Sequence, residues 1–424
     1  MKSIVNKISK NKLLKNFGFI IASRLVSAAL GFCLTFVLWE LPRDGSGDFG
    51  KYSFYIALAS TIPFFINLGI DKSFVVFTSA EKDEKKYTNY LGLFWKSKLI
   101  LSFLILIGCF IYYFVNDQRS LIIIALLAGL VFGFSESFKP PAESKKNFGF
   151  VALIVPIRNL ILLILSIILL ANDALTLQNI ILCLLIANSV YLVSALILYK
   201  LYVAPFTLKT NLPYKTLIGD SKWLFVKELV QLFSANMEIF VLTFFIEEGT
   251  IDVDERLYFA SAFSVCKILP LFTSSLTKVL LPSVVNIKTA EHLKFYIQKL
   301  SKTLLISIPL AVIFFGLVYF FVTNYKESYS DSLSLMPLII LGTLFTFYTN
   351  NVSLIFYRKG KIHFISTLTV IQFIVGASLC LYLIPIYGAN GAITSFLCVR
   401  AVGFIITLIK TRISLYGASS KIGE

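Results

Sequence analysis

The stretch from Ser23 to Leu38 reads SRLVSAALGFCLTFVL, and the stretch from Lys227 to Leu242 reads KELVQLFSANMEIFVL. Each is an apolar run that, with its flanks, reaches the roughly 20 residues a helix needs to cross a hydrocarbon core. The two align without a gap. Leu25 and Val26 fall on Leu229 and Val230, and Phe36, Val37 and Leu38 fall on Phe240, Val241 and Leu242. A tyrosine opens the next apolar run in both places (Tyr52, Tyr258), and a proline follows (Pro63, Pro270). The pattern predicts a membrane chain with two similar halves.

Outward from these two runs, the sequence divides into twelve apolar spans. They cover residues 17–39, 49–78, 91–115, 120–138, 150–171, 179–202, 222–246, 258–281, 303–322, 333–357, 364–386 and 391–410. The second is too long for one straight crossing, and Gly69 marks a bend in it. The longest inner linker, 203–221, falls at the midpoint and holds Pro205 and Pro213. The expected fold is all-α and membrane-integral. Residues 1–205 form an N-terminal six-helix lobe and 206–424 a C-terminal one. Six spans per half bring both halves in from the same side, related by an axis along the membrane normal, with the substrate path between them.

Composition supports this. The 424 residues are 57% hydrophobic and only 15% charged, and the mean hydropathy is +0.82. A soluble domain is about a quarter charged, so lipid must cover much of this surface. The net charge of +16 would suggest nucleic acid in a soluble protein. Here it reads as the Lys/Arg bias of cytoplasmic loops, and no nucleic-acid partner is expected. With both termini inside, the inner segments carry 27 cations and the outer segments 5. That bias predicts a multi-pass protein of the cytoplasmic (inner) membrane with both termini cytoplasmic. The first apolar run is full length for a span with no cleavage site after it, so it is expected to be retained.

The same pass excludes several chemistries. The outer loops are short; the longest acidic one, Glu247 to Arg256, offers no domain to hold an enzyme site. There is no P-loop, no HExxH and no nucleophile–base motif, which removes an ATPase on this chain. The six cysteines lie inside apolar runs without a CxxC, and His292 and His363 are far apart. No metal or cofactor is expected.

Seven cations remain after the loops are counted: Arg24, Lys72, Arg158, Lys227, Lys267, Lys278 and Arg400. A cation at a helix centre costs about 2.5–3.5 kcal/mol on insertion scales. Snorkelling to the headgroups accounts for Lys278, Lys72 and Lys227. It suits Arg158, Lys267 and Arg400 poorly, because about 14 Å of helix separates them from either end. A shared water-filled cavity lined with positive charge explains them together and would suit an anionic substrate. The acidic residues within the spans are Asp71, Glu136, Glu228 and Glu238. They serve either charge pairing or ion coupling.

Several stretches resemble one family. They are FGFIIASRLVSAALGFCLTFVL from Phe17, GDFGKYSFYIALASTIPFFINLGIDKSFV from Gly47, YRKGK from Tyr357 to Lys361, and IPIYGANGAITSFL from Ile384. In order and spacing they are similar to the polysaccharide and lipid-linked oligosaccharide exporters of the MOP superfamily, the Wzx-type O-antigen flippases. The resemblance implies two six-helix lobes around a central, cationic cavity, in the manner of MOP and MATE transporters. It implies alternating access that carries an undecaprenyl-diphosphate-linked sugar repeat unit from the cytoplasmic to the outer face. Membrane lipid and the lipid-linked oligosaccharide are the implied partners, with a polysaccharide polymerase of the same pathway as a candidate third. Arg24 matches the first-helix arginine of related lipid-sugar flippases. Many members carry a basic residue seven positions after the second-helix glycine. Here Val76 stands there, and Lys72, one turn earlier on the same face, is the candidate substitute.

Two other functions fit the fold class less well. An ion-coupled multidrug exporter extrudes cations and favours an acidic cavity, against seven embedded cations and four acids. An integral-membrane polysaccharide polymerase or glycosyltransferase needs long outer loops for its acceptor.

Overall fold

The structure, a computed structural model, describes residues 22–42, 49–78, 83–115, 120–145, 147–203, 206–213, 222–266, 290–325, 329–358 and 362–419, with single residues 19, 81 and 269. By contact the chain forms two compact units, Met1–Asn236 and Met237–Glu424.

The helices of the first unit are α1 (Ala22–Leu38), α2 (Phe49–Asn67), α3 (Ile70–Thr78), α4 (Glu84–Val115), α5 (Ser120–Glu136), α6 (Lys139–Ser144), α7 (Phe148–Ile154), α8 (Ile157–Ala171), α9 (Leu177–Tyr202) and α10 (Lys222–Ser234). Those of the second are α11 (Met237–Glu247), α12 (Val253–Cys266), α13 (Ala290–Tyr325), α14 (Asp331–Arg358) and α15 (Ile362–Ser419). Among the described residues, eight helices are long and apolar enough to cross a membrane, and one of them, α15, holds both the eleventh and the twelfth expected spans. Three further expected spans fall on other helical segments. The first apolar helix is a little shorter, the second span is broken between α2 and α3, and the eighth is described only over α12. Every one of the twelve expected spans therefore lies, at least in part, on a described helix.

The bend expected at Gly69 is present. Leu68 (φ 40°) and Gly69 (φ 79°) both leave the right-handed region, which ends α2 and starts α3 in a new direction. Prolines mark other interruptions, since a proline removes one helical donor. Pro156 sits between α7 and α8, and Pro63, Pro309, Pro337 and Pro385 lie inside helices.

Side-chain caps start two helices. Asn147 Oδ1 accepts from the Phe150 N–H at 3.3 Å, and Thr176 Oγ1 accepts from the Asn179 N–H at 3.3 Å. Each satisfies a donor that the first turn leaves without an intrahelical partner.

In the first unit α5 packs on α2, and α9 on α5. The α2–α5 approach is close because Gly129 and Gly133 face it. A Cβ on Gly129 would lie 2.3 Å from the Ala59 carbonyl oxygen, and one on Gly133 would lie 2.9 Å from Pro63 Cα. Small residues four apart let membrane helices approach backbone to backbone. Elsewhere in the unit an aromatic core gathers around Trp95, with Phe74, Phe94, Phe138, Phe150 and Tyr199 all buried. The linker segment 206–213 lies against this core. The Phe206 ring is 4.8 Å from that of Trp95, and the Lys209 carbonyl comes so near Gly92 that a Cβ there would sit 2.1 Å from it.

The repeat boundary expected from sequence, 205/206, and the contact division after Asn236 differ because α10 packs on α2 and α3. The division falls within the seventh span, Phe225–Glu247, which is interrupted by a turn at Ala235–Asn236.

In the second unit α15 packs on α14 and on α11. It is a helical hairpin, because Gly388 at φ 55°, ψ −129° adopts a conformation open only to glycine. The two arms run back along each other. Gln372 Nε2 donates to the Val399 carbonyl at 3.2 Å, and a Cβ on Gly376 would meet Val399 Cγ2 at 3.0 Å. At the hairpin's tip Glu255 Oε2 accepts from the Ala389 N–H at 2.7 Å, capping the returning arm.

The remaining apolar surface faces outward. Phe103, Phe110, Ile111 and Phe114 of α4 and Leu305, Val312 and Leu317 of α13 are all exposed. In water such a surface would drive aggregation; in a bilayer it is the lipid-facing wall. The protein is a multi-pass membrane protein.

Candidate functional site: linked charges in the first unit

Four of the seven cations singled out from the sequence belong to one electrostatically linked set in the first unit. Lys72, at the start of α3, forms an ion pair with Glu228 of α10. Lys227 Nζ lies 3.8 Å from the same Glu228 oxygen and donates to Gln231 Oε1 at 3.4 Å. Arg158, directly after the Pro156 break, donates from Nε to Asn188 Oδ1 at 2.7 Å. Its guanidinium lies 4.3 Å from the centre of the Phe132 ring. Arg24 on α1 interacts electrostatically with Glu143 and Glu136.

The acids connect these cations. Glu136 takes Lys139 at 2.6 and 2.8 Å and the Tyr191 hydroxyl at 2.7 Å, and its charge also acts on Arg158. Asp71 pairs with Lys98 at 2.6 Å, and Lys98 also feels Glu228. The set thus holds Arg24, Lys72, Lys98, Lys139, Arg158 and Lys227 against Asp71, Glu136, Glu143 and Glu228. Among the described residues it counts six cations and four acids, in a setting where charge is costly to bury.

Three members, Lys98, Lys139 and Glu143, are absent from the sequence candidates, and Lys139 counts with an inner loop by sequence. Lys98 counts with the inner loop by sequence, yet it is fully buried. Its ammonium also donates to the Ile66 carbonyl at 3.1 Å and lies over the Phe94 ring. A signal for it exists. Leu91, Phe94, Trp95 and Lys98 recur at the three-four spacing of a single helix face, so Lys98 shares the buried face of three apolar residues. Glu143 carries no comparable signal, because it follows two prolines in a segment that reads as loop.

The second unit holds Arg400 and Glu238. Both are embedded, and the charge of each acts on the other. The Arg400 guanidinium lies 4.9 Å from the Phe396 ring, and its Nε has no hydrogen-bond partner among the described residues. Lys267 and Lys278 lie outside the described residues. The described residues contain no group of three or more His, Cys, Asp or Glu able to hold a metal.

The described residues form an all-helical, membrane-integral fold with embedded cations. The polysaccharide biosynthesis protein family matches residues 13–288, and the chain belongs to that family. Among solved structures, the fold is similar to a lipid II flippase, MurJ, in an inward closed conformation. That likeness has 16% identity and a TM-score of 0.70 over 92% of this chain and 87% of that one. It is also similar to an outward-facing multidrug resistance MATE family transporter of the MOP superfamily, with 14% identity and a TM-score of 0.60 over 96% of each chain. The Vibrio cholerae MATE transporter VcmN, in its bent form, matches with 12% identity and a TM-score of 0.59 over 97% of this chain and 99% of that one. No curated protein sequence matches the chain.

Proposed function

We propose that this protein is a flippase that moves an undecaprenyl-diphosphate-linked oligosaccharide repeat unit from the cytoplasmic to the outer face by alternating access. The observation that supports the reading best is the linked charge set of the first unit, with Arg24, Lys72, Arg158 and Lys227 in it. A lipid diphosphate must bring negative charge across about 30 Å of hydrocarbon, and it needs cations on its way. Arginine suits the headgroup because its planar fork donates two parallel hydrogen bonds to phosphate oxygens. Family membership in polysaccharide biosynthesis points to the same class of cargo. Arg400, and Lys267 and Lys278 by their place in the sequence, extend the cationic set in the second half.

In this reading the protein is a transporter of the cytoplasmic membrane, with both termini inside and the polymerase of its pathway as a candidate partner. Glu228 and Glu136 act as counterions within the set. Glu238 stands ready either to pair with Arg400 or to couple an ion. A multidrug exporter is the second reading, favoured by the fold shared with MATE transporters; the positive excess in the first unit argues against a cationic cargo.

The test is deletion of the gene followed by identification of what accumulates. A lipid-diphosphate-linked glycan trapped on the cytoplasmic face, and its translocation in proteoliposomes holding the purified chain, are the expected results. Normal glycan export in the deletion strain, with raised sensitivity to cationic drugs, would overturn the reading in favour of drug export.

A further inference from the structure

α10 packs on α2 and α3. Among its described side chains only Glu228 and Leu232 are buried, while Trp223 and Phe233 are exposed. The Glu228 carboxylate pairs with Lys72 of α3. At the other end of α10, Asn236 Nδ2 donates to the Ala57 carbonyl at 3.1 Å and to Ser60 Oγ at 2.9 Å, which pins the turn after the helix to α2. The helix therefore has a pinned end at Asn236 and an electrostatic contact about two turns away at Glu228.

That contact has an uneven stoichiometry. One carboxylate, its side chain only 4% exposed, faces the ammonium of Lys72 and, at 3.8 Å, that of Lys227. The Lys72 side chain is 45% exposed, so an anion arriving from outside the packed interior reaches it without disturbing the core. A diphosphate carries more charge and more acceptor oxygens than one carboxylate, and charge-assisted bonds to it are stronger. The two groups compete for the same cations.

We propose that Glu228 is a resident counterion which the substrate's diphosphate displaces. The anions exchange on Lys72 and Lys227, and α10 is released from α3 while still pinned at Asn236. Substrate arrival and helix release are then one event, with no coupling ion needed for that step. This rests on the flippase reading, because it takes a diphosphate as the incoming anion.

The experiment uses the full chain in nanodiscs, in a cysteine-free background, with inorganic diphosphate as the probe and chloride at equal ionic strength as control. Spin labels at Trp223, at the end of α10 away from Asn236, and Phe65 on α2, both exposed, report the α10–α2 distance. In the otherwise unaltered chain diphosphate lengthens that distance and chloride does not. In Glu228→Gln the long distance is present without ligand, and diphosphate binds about tenfold tighter because no carboxylate competes. Glu228→Asp, which keeps the charge, retains the ligand-dependent change and secures the result if the Gln variant folds poorly. Lys72→Gln loses diphosphate binding. Equal affinity in the Gln variant with unchanged label distances would overturn the counterion exchange and leave the flippase reading standing. Absence of diphosphate binding in every variant would overturn both.

Discussion

Buried Lys98 and half-buried Asp71 form an ion pair across the break in the second membrane span. The ammonium lies 2.6 Å from Asp71 Oδ1 and 3.1 Å from the Ile66 carbonyl. Ile66 stands just before Leu68 and Gly69, where the change of backbone direction interrupts the helical ladder, and Asp71 stands just after. The Asp71 N–H is in turn taken by Asn67 Oδ1 at 3.1 Å. One side chain from α4 thus joins both sides of the break.

Breaking a buried pair by removing one partner costs about 3–5 kcal/mol, whereas replacing both by apolar groups is often neutral. Lys98→Met is therefore expected to cut membrane abundance and lower the thermal unfolding midpoint in detergent. Lys98→Met with Asp71→Leu recovers most of the loss. A double variant as unstable as the single one shows that the bond to the Ile66 carbonyl, not the pair, holds the bend.

Arg158 is expected to matter for transport more than for insertion. Its Nε–H is used by Asn188 and its guanidinium face by Phe132. Arg158→Ala abolishes glycan export at near-normal abundance. Arg158→Lys keeps the charge but loses the planar fork and retains only partial activity. Arg24→Ala and Arg400→Ala should also abolish export, and Arg24→Lys should reduce it only in part. Export complementation beside immunoblots of the membrane fraction measures both quantities. Normal export by all three Ala variants would assign the embedded charges to structure alone.

Gly129→Leu is a test of packing without charge. A side chain there meets the Ala59 backbone, and overpacking a tight contact costs about 1–3 kcal/mol. The expected result is a lower unfolding midpoint. Gly108→Leu serves as control, since a Cβ there meets nothing within 4 Å and the position tolerates the change.

Gly388→Ala is expected to reduce yield sharply. The substitution forces an L side chain into a disfavoured region at a cost of roughly 1–3 kcal/mol. It also puts a Cβ 2.5 Å from Glu255 Oε2. Glu255→Gln keeps an acceptor for the Ala389 N–H and loses only the charge at a helix start, worth about 0.3–1 kcal/mol. Size-exclusion profiles of the two variants should differ accordingly.

Much of the fold is legible because membrane spans are written in length and hydropathy. The bend at Gly69 and the helical spans follow from residue types alone. Gly129 and Gly133 are small residues four apart in an apolar run, although only the structure shows that they meet Ala59 and Pro63. The charge pairs are legible only in part. Arg158 and Glu228 stand out as charges inside apolar runs, but which acid meets which cation depends on helix rotation, and that is a tertiary property. Lys98 is hidden because it lies near the loop-ward end of a long helix, where a lysine ordinarily reaches water. The place of α10 is not legible at all. A sequence repeat reports ancestry, whereas packing decides which helices share a core.

The membership of α10 in the first unit also bears on when that unit's contacts form during synthesis. A ribosome delivers the residues up to 205 well before Glu228 exists. During that interval Lys72 is already in or near the translocon without the carboxylate it will pair with. The Lys72–Glu228 pair can form only once the opening turns of the seventh span have emerged. A gene cut at the midpoint of the sequence would strand Lys72 on one product and Glu228 on the other.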